Sequence, residues 1–575
     1  MSVADVEPAV TAVGLLRAFN EAGVLDFADV HVAQRLCALG AERDDRVALA
    51  AALAVRALRG GSVCVDLSTI AVAADGLPWP DLAQWLAAVR ASTLLTDPPV
   101  LHLYDDRLLY LDRYWREEQQ VCDDLVAMLV PTPKGPDAEV PAFERLFPSG
   151  FEEQRSAAEI AVAQGVTVLT GGPGTGKTTT VARLLAALAE QAELAGRSRP
   201  RIALAAPTGK AAARLAEAAR HEVTRLDAAD RMRLGQLQAV TLHRLLGSRP
   251  DTSSRFRHHR GNRLPHDVIV VDETSMVSLT LMARLLEAVR PGARLILVGD
   301  SDQLASVEAG AVLADLVDGL AARDDVRVAA LRTSHRFGKS IGTLADAIRS
   351  GDADRLLTLL RSDDEHIEFI DDEDPTSRLR AVLVPHALRL REAALLGAVD
   401  VALGILDEHR MLCAHRRGPF GVGHWNRQVE TWLAEETGLP PWSQWYAGRP
   451  LLVTANDYGL RVYNGDTGVA VAGPDGLRAV LAGATGPLDF AAGRLSDVDT
   501  MHAMTIHKSQ GSQADAVTVL LPEPDSRLLT RELFYTAVTR AKEKVRVVGS
   551  EASVRAAVER RAVRASGLRM RLQRQ

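Results

Sequence analysis

The stretch VTVLTGGPGTGKTTTVARLLAALAE, residues 166–190, decides the fold. Its first four residues form an apolar run typical of a buried strand, and its last part has the apolar spacing of a helix. The glycine-rich turn between them fits the pattern G-x-x-x-x-G-K-T, in which main-chain N–H groups wrap phosphates. Glycines suit this turn because larger side chains would keep the backbone away from the phosphates. The stretch predicts a nucleotide site; the alternative is a structural glycine turn.

The positions of this turn have expected roles. Lys177 would neutralise the terminal phosphates of a nucleoside triphosphate, and Thr178 would hold Mg²⁺. The predicted nucleotide contacts in and beside the turn are Gly171, Gly172, Pro173, Gly174, Thr175, Gly176, Lys177, Thr178 and Thr179. By itself the turn indicates only that the chain binds and hydrolyses a nucleotide.

Two further apolar runs end in polar residues that suit the other half of such a site. VIVV, residues 268–271, is followed by Asp272 and Glu273, and RLILVGD, residues 294–300, comes shortly before Gln303. At the carboxyl edge of a parallel sheet, Asp272 would organise Mg²⁺ and Glu273 would deprotonate the attacking water. Gln303 would hydrogen-bond the terminal phosphate and respond to its loss. The alternative for the acidic pair is an ordinary turn at a strand end.

Three polar residues outside these runs are further candidates. Gln154 lies in a helical segment that leads into the strand before the glycine-rich turn, so its amide could pair with adenine. Arg336 and Arg540 could reach the nucleotide from a neighbouring domain, because a planar, always charged donor suits the charge on a transferring phosphoryl group. For an isolated arginine, a surface ion pair would be the simpler interpretation.

The fold class predicted from these patterns is α/β. Apolar strands alternate with helices from about residue 150 to 330, which implies a doubly wound parallel sheet, and a second such domain follows. Residues 1–115 are predicted to form a helical accessory domain, and residues 116–145, with a proline-rich part, a linker. Residues 449–500 alternate apolar and polar side chains around Asn464-Gly465, which predicts a small β-barrel inserted into the second domain.

Composition limits the class of protein and its location. The 575 residues are 47% hydrophobic and 25% charged, which is typical of several globular domains. The net charge of -7 gives no general attraction to nucleic acid, so any such contact needs local basic surface. The four cysteines lack the short spacings of metal sites and suit a reducing compartment. With no basic leader and no long apolar run, we expect a cytoplasmic protein without membrane contact.

A series of motifs resembles the superfamily 1 DNA helicases, and most closely their RecD branch, the alpha subunits of RecBCD exonuclease V. In chain order the motifs are EEQR, GGPGTGKTT, APTGKAA, TLHRLLG, VVDETSMV, LVGDSDQL, SHRF, TIHKSQGS and YTAVTRAKE. The resemblance covers the chain from about residue 150 to its end. It implies RecA-like domains at 146–335 and at 336–448 with 501–575, and an SH3-like insertion at 449–500.

The resemblance also implies roles for individual residues. Gln154 would read adenine, and Lys177, Thr178, Asp272 and Glu273 would form the hydrolytic centre with ATP and Mg²⁺. Gln303, Arg336 and Arg540 would sense or stabilise the terminal phosphate. The residues expected to grip single-stranded DNA are Pro207, Thr208, Thr241, His243, Thr505 and His507. One departure is Gln513, which stands where the family usually has glutamate.

Three functions remain open at this point. The first is an ATP-driven 5′ to 3′ helicase subunit that acts on DNA ends in a heterotrimer with RecB-like and RecC-like subunits. The second is a stand-alone helicase of the longer RecD type, and the third is an ATP-dependent subunit that gates a partner nuclease. Because no assembly of carboxylates beside a lysine is recognisable as a nuclease centre, we expect a partner to do any cutting.

Overall fold

The computed structural model describes most of the chain. The described residues are 9–73, 76–96, 98–129, 143–249, 252–323, 326, 328–333, 339–372, 374–439, 444–457, 459–483 and 486–574. Among these residues, none of the helices combines the length and apolar character needed to cross a bilayer.

The N-terminal region is mainly helical but also contains a small sheet. Its elements are α1 (Gly14–Glu21), α2 (Phe27–Leu39), α3 (Asp45–Arg59), β1 (Val65–Asp66), α4 (Leu82–Ala91), β2 (Leu101–Tyr104), β3 (Leu108–Leu111) and α5 (Asp112–Leu129). The strands form an antiparallel sheet in the order β1-β3-β2, and the prediction of a helical domain did not include this sheet. The alanine-rich α3 is buried at the centre of this region, where its small side chains allow close packing.

Helix α5 occupies the first part of the segment that we predicted to be a linker. Val121, Cys122 and Leu125 follow helical spacing and are fully buried. They pack in the same core as the helices behind the first parallel sheet. Burial of this apolar face explains why residues 116–129 are helical. The proline-rich residues 130–142 lie outside the described residues.

The first parallel sheet has six strands in the order β11-β4-β10-β9-β5-β6. All of its neighbouring strands run parallel, as the sequence predicted for a doubly wound domain. Its elements, with a short hairpin, are α6 (Phe143–Leu146), α7 (Glu152–Ala163), β4 (Val166–Gly171), α8 (Lys177–Leu194), β5 (Ile202–Ala206), α9 (Gly209–Thr224), α10 (Ala228–Leu234), β6 (Ala239–Thr241), α11 (Leu242–Leu246), β7 (Ser248–Arg249), β8 (Thr252–Phe256), β9 (Val268–Val271), α12 (Leu279–Ala288), β10 (Arg294–Gly299), α13 (Val312–Ala321) and β11 (Ala329–Leu331). The ends of β4, β9 and β10 therefore meet at one edge of this sheet.

The second half of the chain contains another parallel sheet and an antiparallel sheet within it. Its elements are α14 (Lys339–Ser350), α15 (Ala353–Leu360), β12 (Ile367–Ile370), α16 (Thr376–Leu395), α17 (Val399–Glu408), β13 (His409–Cys413), α18 (Val422–Thr437), β14 (Pro450–Val453), β15 (Thr467–Gly473), β16 (Gly476–Leu481), β17 (Leu488–Ala491), β18 (Val498–Thr500), β19 (Ala503–Thr505), β20 (Ala514–Leu520), α19 (Arg531–Val538), β21 (Ala541–Val548), α20 (Glu551–Glu559) and α21 (Leu568–Arg574). The parallel sheet has the order β12-β21-β20-β13-β19, and the antiparallel sheet has the order β17-β16-β15-β14-β18.

The antiparallel sheet reaches the first parallel-sheet domain. The Tyr463 ring lies so close to Gly209, the first residue of α9, that a Cβ there would be 2.9 Å from the ring. Next to it, the Lys210 ammonium donates a hydrogen bond to the Thr467 hydroxyl at 3.3 Å. The inserted sheet therefore contacts both halves of the molecule.

The last helix does not pack where the predicted domain boundaries would place it. We grouped residues 501–575 with the second domain, yet Leu568 and Leu572 of α21 are buried in the core behind the first sheet. Helix α21 contacts α13 and α5 there. The C-terminal segment consequently crosses from one parallel-sheet domain to the other.

Candidate active site

The glycine-rich turn after β4 has the backbone needed for an anion site. Gly174 and Gly176 have φ values of 80° and 83°, which side chains other than glycine's rarely adopt. A Cβ on Gly171 would lie 2.6 Å from a main-chain carbonyl of β11, and one on Gly172 would lie 3.0 Å from the Tyr535 hydroxyl. The glycines thus leave an open cradle lined by main-chain groups, and side chains at these positions would occupy that space.

Lys177 begins α8 and folds back over this turn. Its ammonium donates to the carbonyls of Gly171 and Gly172 at 2.6 and 2.8 Å. The side chain is therefore positioned at the mouth of the cradle, where phosphate oxygens could replace the carbonyls as acceptors. Thr178 and Thr179 follow it in the first turn of α8.

Asp272 and Glu273 lie at the carboxyl end of β9, on the same edge as the turn. The Glu273 N–H donates to an Asp272 carboxylate oxygen at 2.8 Å. Desolvation in the cleft and then the nearby charge of Glu273 raise the pKa of Asp272, while the charge of Lys177 opposes this shift. Glu273 itself has a φ of 50°, a strained conformation of the kind found at functional sites.

Asp300 is part of this site, and we did not include it among the predicted residues. It ends the β10 strand run and accepts hydrogen bonds from the Gln303 amide at 3.0 Å and the Tyr535 hydroxyl at 3.1 Å. Burial raises the pKa of Asp300, and the charge of Lys177 counteracts the increase. Its place at the end of an apolar strand, like Asp272, was the signal that could have identified it.

The second parallel-sheet domain contributes Tyr535 and Arg540 from α19 and the residues after it. Arg540 is 4% exposed, and its guanidinium donates to the carbonyls of Thr536 at 3.0 Å and Ser512 at 3.4 Å. Burial lowers the pKa of Arg540, and the negative charge of Glu273 across the cleft raises it. Carbonyls of its own domain thus hold the Arg540 guanidinium, close enough to Glu273 for the two charges to interact, whereas Arg336 lies outside the described residues.

Gln154 contacts the glycine-rich turn directly. It is 2% exposed on α7, and its amide donates to the Thr175 carbonyl at 3.3 Å. The predicted contact of Gln154 with adenine stays a prediction, but the residue does lie beside the turn.

The residues predicted to grip DNA lie at or just after strand ends, and two of their hydroxyls cap helices. Thr208 follows β5 and accepts from the N–H of Ala211, and Thr241 ends the neighbouring strand β6 and accepts from the N–H of Arg244. Pro207 directly precedes Thr208, and His243 follows Thr241 by two residues; Thr505 ends β19 in the other sheet, and His507 lies just after it. Burial lowers the pKa of His507, and the nearby positive charge of Arg564 lowers it further. Their DNA contacts remain predictions.

Arg214 on α9 is a second residue that we missed. Its guanidinium crosses between the two domains and donates to the Gly511 carbonyl at 2.5 Å and to the Gln513 side-chain oxygen at 3.2 Å. Gln513, the departure noted in the sequence, thus contacts an arginine from the first domain. Arg214 comes shortly after APTGKAA, but nothing in that motif indicated its partner.

The described residues contain no group of three or more histidine, cysteine or acidic side chains placed to hold a metal ion. All four cysteines are free and buried, as expected for small core residues. Thr178 and Asp272 offer one hydroxyl and one carboxylate at the same edge of the sheet. This donor set suits Mg²⁺, which keeps several waters and shares substrate phosphates.

Three family models match separate parts of the chain. Residues 21–108 match the model described as RecBCD enzyme subunit RecD, N-terminal domain. Residues 154–309 match an AAA domain model, and residues 500–548 match the UvrD-like helicase C-terminal domain. The first covers most of the N-terminal region, and the other two cover the two sides of the cleft.

Named relatives match the chain over most of its length. It is 78% identical to the RecBCD enzyme subunit RecD of Mycobacterium tuberculosis, over 100% of this chain and 99% of the relative. It is 70% identical to the RecBCD enzyme subunit RecD of Mycolicibacterium smegmatis, over 97% and 99%. The ATP-dependent RecD2 DNA helicase of Deinococcus radiodurans is 31% identical, over 79% of this chain and 56% of that protein. The cleft and the similarities to the first two relatives, over nearly the full length of each, lead to one conclusion: the chain belongs to the family of RecD subunits of the RecBCD enzyme.

Proposed function

We propose that this chain is an ATP-dependent DNA helicase subunit of a RecBCD-type helicase–nuclease. It moves 5′ to 3′ along single-stranded DNA and acts in the cytoplasm on DNA ends during double-strand break repair and recombination. RecB-like and RecC-like subunits are its partners, and one of them cuts the DNA.

The observation that carries this proposal is the composition of the cleft. Lys177 and Asp300 come from the first parallel-sheet domain, and Tyr535 and Arg540 come from the second. The Tyr535 hydroxyl donates to Asp300 at 3.1 Å, and Arg540 lies within the electrostatic reach of Glu273. A site divided between two domains can couple hydrolysis to their relative movement, which a translocating protein requires.

The residues of the cleft suit ATP as the substrate. Lys177 would exchange its carbonyl partners for terminal phosphate oxygens, and the main-chain cradle would hold the rest of the phosphate chain. Glu273 would orient and deprotonate the attacking water, and Arg540 would stabilise the charge that develops on the transferring phosphoryl group. Gln303 would change partners when that phosphate leaves.

Thr178 and Asp272 would hold Mg²⁺ beside the phosphates. When bound, the ion would neutralise part of the phosphate charge. The desolvated Asp272 carboxyl would then be stabilised in its charged form, because a cation replaces the neighbouring Glu273 as its dominant electrostatic partner.

The DNA would lie across the strand ends of both parallel sheets. Pro207, Thr208, Thr241 and His243 would contact it from the first domain, and Thr505 and His507 from the second, mostly through backbone phosphates. The antiparallel sheet at 449–500 would be the SH3-like insertion, and its contact with Gly209, next to Thr208, supports a position beside this path.

Strand separation by the intact complex tests the proposal. Purified with its co-purifying subunits, the protein should hydrolyse ATP when single-stranded DNA is added and should unwind duplexes that carry a 5′ tail. Lys177→Ala should lower hydrolysis by ~100-fold or more, as loss of a transition-state partner does. Lys542→Ala is the control, because Lys542 forms only a half-exposed surface pair with Asp515.

Other results would favour the alternatives. Unwinding only from 3′ tails would contradict the proposed polarity. Efficient unwinding by the isolated chain would favour a stand-alone helicase, although its relatives at 78% and 70% identity have nearly the same length. Hydrolysis that ignores DNA and separates no strands would favour a subunit that gates a partner nuclease.

A further inference from the structure

A C-terminal strap, residues 560–574, joins the second parallel-sheet domain to the first. At its beginning, the Arg560 guanidinium donates to carbonyls of the second domain, at 3.0 Å to Pro524 and 3.3 Å to Leu529. At its end, α21 is buried behind the first sheet. The strap is therefore anchored on both sides of the cleft.

Arg564 is the residue of the strap that contacts the loop after β10. Its guanidinium donates to three carbonyls of that loop: Ser306, Glu308 at 3.1 Å and Gly310 at 3.3 Å. All three bonds come from one terminal nitrogen, Nη1, at the far end of this long side chain. One side chain thus binds three carbonyls in the second half of the loop, residues 305–310.

The near half of the same loop belongs to the active site. It begins with Asp300 and Gln303, and its Leu304 N–H donates to the Thr536 hydroxyl at 2.9 Å. The Gln510 amide donates to the Leu304 carbonyl at 2.7 Å. Residues that face the phosphates and residues held by Arg564 are therefore only a few peptide units apart.

The N-terminal region meets the loop and the strap at the same point. The Gly310 N–H donates to the Gly61 carbonyl at 2.9 Å, and the Val63 N–H donates to the Ala565 carbonyl at 3.0 Å. Gly61 has a φ of 83°, and a Cβ there would lie 2.9 Å from the Arg564 guanidinium carbon. Any side chain at position 61 would press on that guanidinium.

Only residues 561–563 separate the two anchored arginines. Four peptide units reach at most ~14 Å when fully extended, so the strap limits how far the domains can separate at this side of the cleft. Within it, the Ala562 N–H donates to the Glu532 carboxylate at 2.7 Å, and Val563 is 85% exposed.

We propose that Arg564 is a positioning residue for the 300–310 loop, and that it couples the N-terminal region to the ATP cleft. The coupling rests on the proposed ATPase function, whereas the contact with the loop does not. A shift of residues 61–63 would move the Arg564 guanidinium, and the three carbonyls would carry the movement to Gln303 and Asp300. The N-terminal region could in this way change the rate of hydrolysis without touching the nucleotide.

Variants of Arg564 in the full complex test the positioning role. Arg564→Ala should lower the kcat of DNA-stimulated hydrolysis about tenfold and leave the KM for ATP within about threefold, because the nucleotide cradle is unchanged. Arg564→Lys should recover only part of the loss, since the lysine side chain is shorter and its ammonium would not reach the position of Nη1, which makes all three bonds. The matched control is Arg569→Ala on the same strap, whose pair with Asp318 is more than half exposed on both sides.

A second pair of variants tests the coupling from the N-terminal side. Gly61→Ala should lower kcat as Arg564→Ala does, and the double variant should be no worse than either single variant. Gly60→Ala is the control, because its Cβ would have ordinary contacts at 3.4 Å or more. Losses that add in the double variant would overturn the coupling.

Hydrogen exchange of the 300–310 amides separates this inference from the proposed function. Exchange should be faster in Arg564→Ala than in Arg569→Ala, with or without nucleotide. Equal exchange in the two variants, or a kcat within twofold of wild type, would overturn the positioning role. A wild-type complex that shows no DNA-stimulated hydrolysis would refute the proposed function instead, and the exchange rates would still decide whether Arg564 holds the loop.

Discussion

Replacing Glu118 by glutamine should destabilise the docking of α21 by about 3–5 kcal/mol, the usual cost of breaking a buried ion pair. Glu118 is fully buried on α5 and accepts from the Arg571 guanidinium at 2.9 Å. The Tyr110 hydroxyl donates to the same carboxylate oxygen at 2.9 Å. The other oxygen accepts from the Ser566 hydroxyl at 3.0 Å and the Gly567 N–H at 3.1 Å.

The magnitude follows from what glutamine cannot do at this position. A glutamine amide has only one acceptor oxygen, so its NH₂ group must replace one of the two carboxylate oxygens. It would then face either the Ser566 and Gly567 donors or the Arg571 guanidinium. Arg571 lies against the Trp115 ring at 3.9 Å and would retain its charge in an apolar site without a counter-ion. If the NH₂ group faced Gly567, that main-chain N–H would lose its partner as well.

Native-state hydrogen exchange of the α21 amides measures this loss, because a chain of several domains need not unfold in a single transition. A cost of 3 kcal/mol corresponds to roughly 100-fold faster exchange. The control is Asp318→Asn, which removes the exposed partner of Arg569 and should cost less than about 1 kcal/mol. If Glu118→Gln accelerated exchange no more than Asp318→Asn, our account of this buried cluster would be wrong.

Three further predictions concern other parts of the molecule. Gly171→Ala should abolish binding of a fluorescent ATP analogue, because the new Cβ would lie 2.6 Å from a main-chain carbonyl, whereas Gly342→Ala has open space and should bind normally. Burial lowers the pKa of His502 to about 3, so the folded protein binds fewer protons than the unfolded chain below pH 6.5. Its contribution to the free energy of unfolding should therefore decline by about 2 kcal/mol from pH 7 to pH 5, and chemical denaturation of His502→Gln should depend less on pH. Gln513→Glu should turn the hydrogen bond from Arg214 into an ion pair between the two domains and slow ADP release in stopped-flow fluorescence; unchanged or faster release would show that this contact does not hold the cleft together.

The sequence was sufficient to predict the parallel sheet around the glycine-rich turn. Strands that are buried on both faces read as continuous apolar runs, and in a parallel sheet their carboxyl ends must meet at one edge. Lys177, Asp272 and Gln303 follow such runs, so their common location was predictable. The structure places all three at that edge.

The same reasoning could not predict the contacts between the domains. Tyr535 meets Asp300 across 235 positions of sequence. Arg214 contacts Gln513, which is 299 positions away in the sequence. Local periodicity predicts the face of a helix that is buried, but the side chain that it meets depends on how two separately folded sheets pack. Helix α5 was missed for a related reason: its apolar face has a partner only once the first sheet has formed.

The close approach of Tyr463 to Gly209 has a consequence for how relatives diverge. An alanine at position 209 would collide with the ring, and a smaller residue at 463 would leave space beneath it. Substitutions at these two positions, 254 residues apart by their numbers, should therefore occur together among homologous chains. Relatives that carry a side chain at 209 should lack the aromatic ring at 463. Such paired substitutions would be evidence that the inserted sheet contacts the first domain in those relatives too.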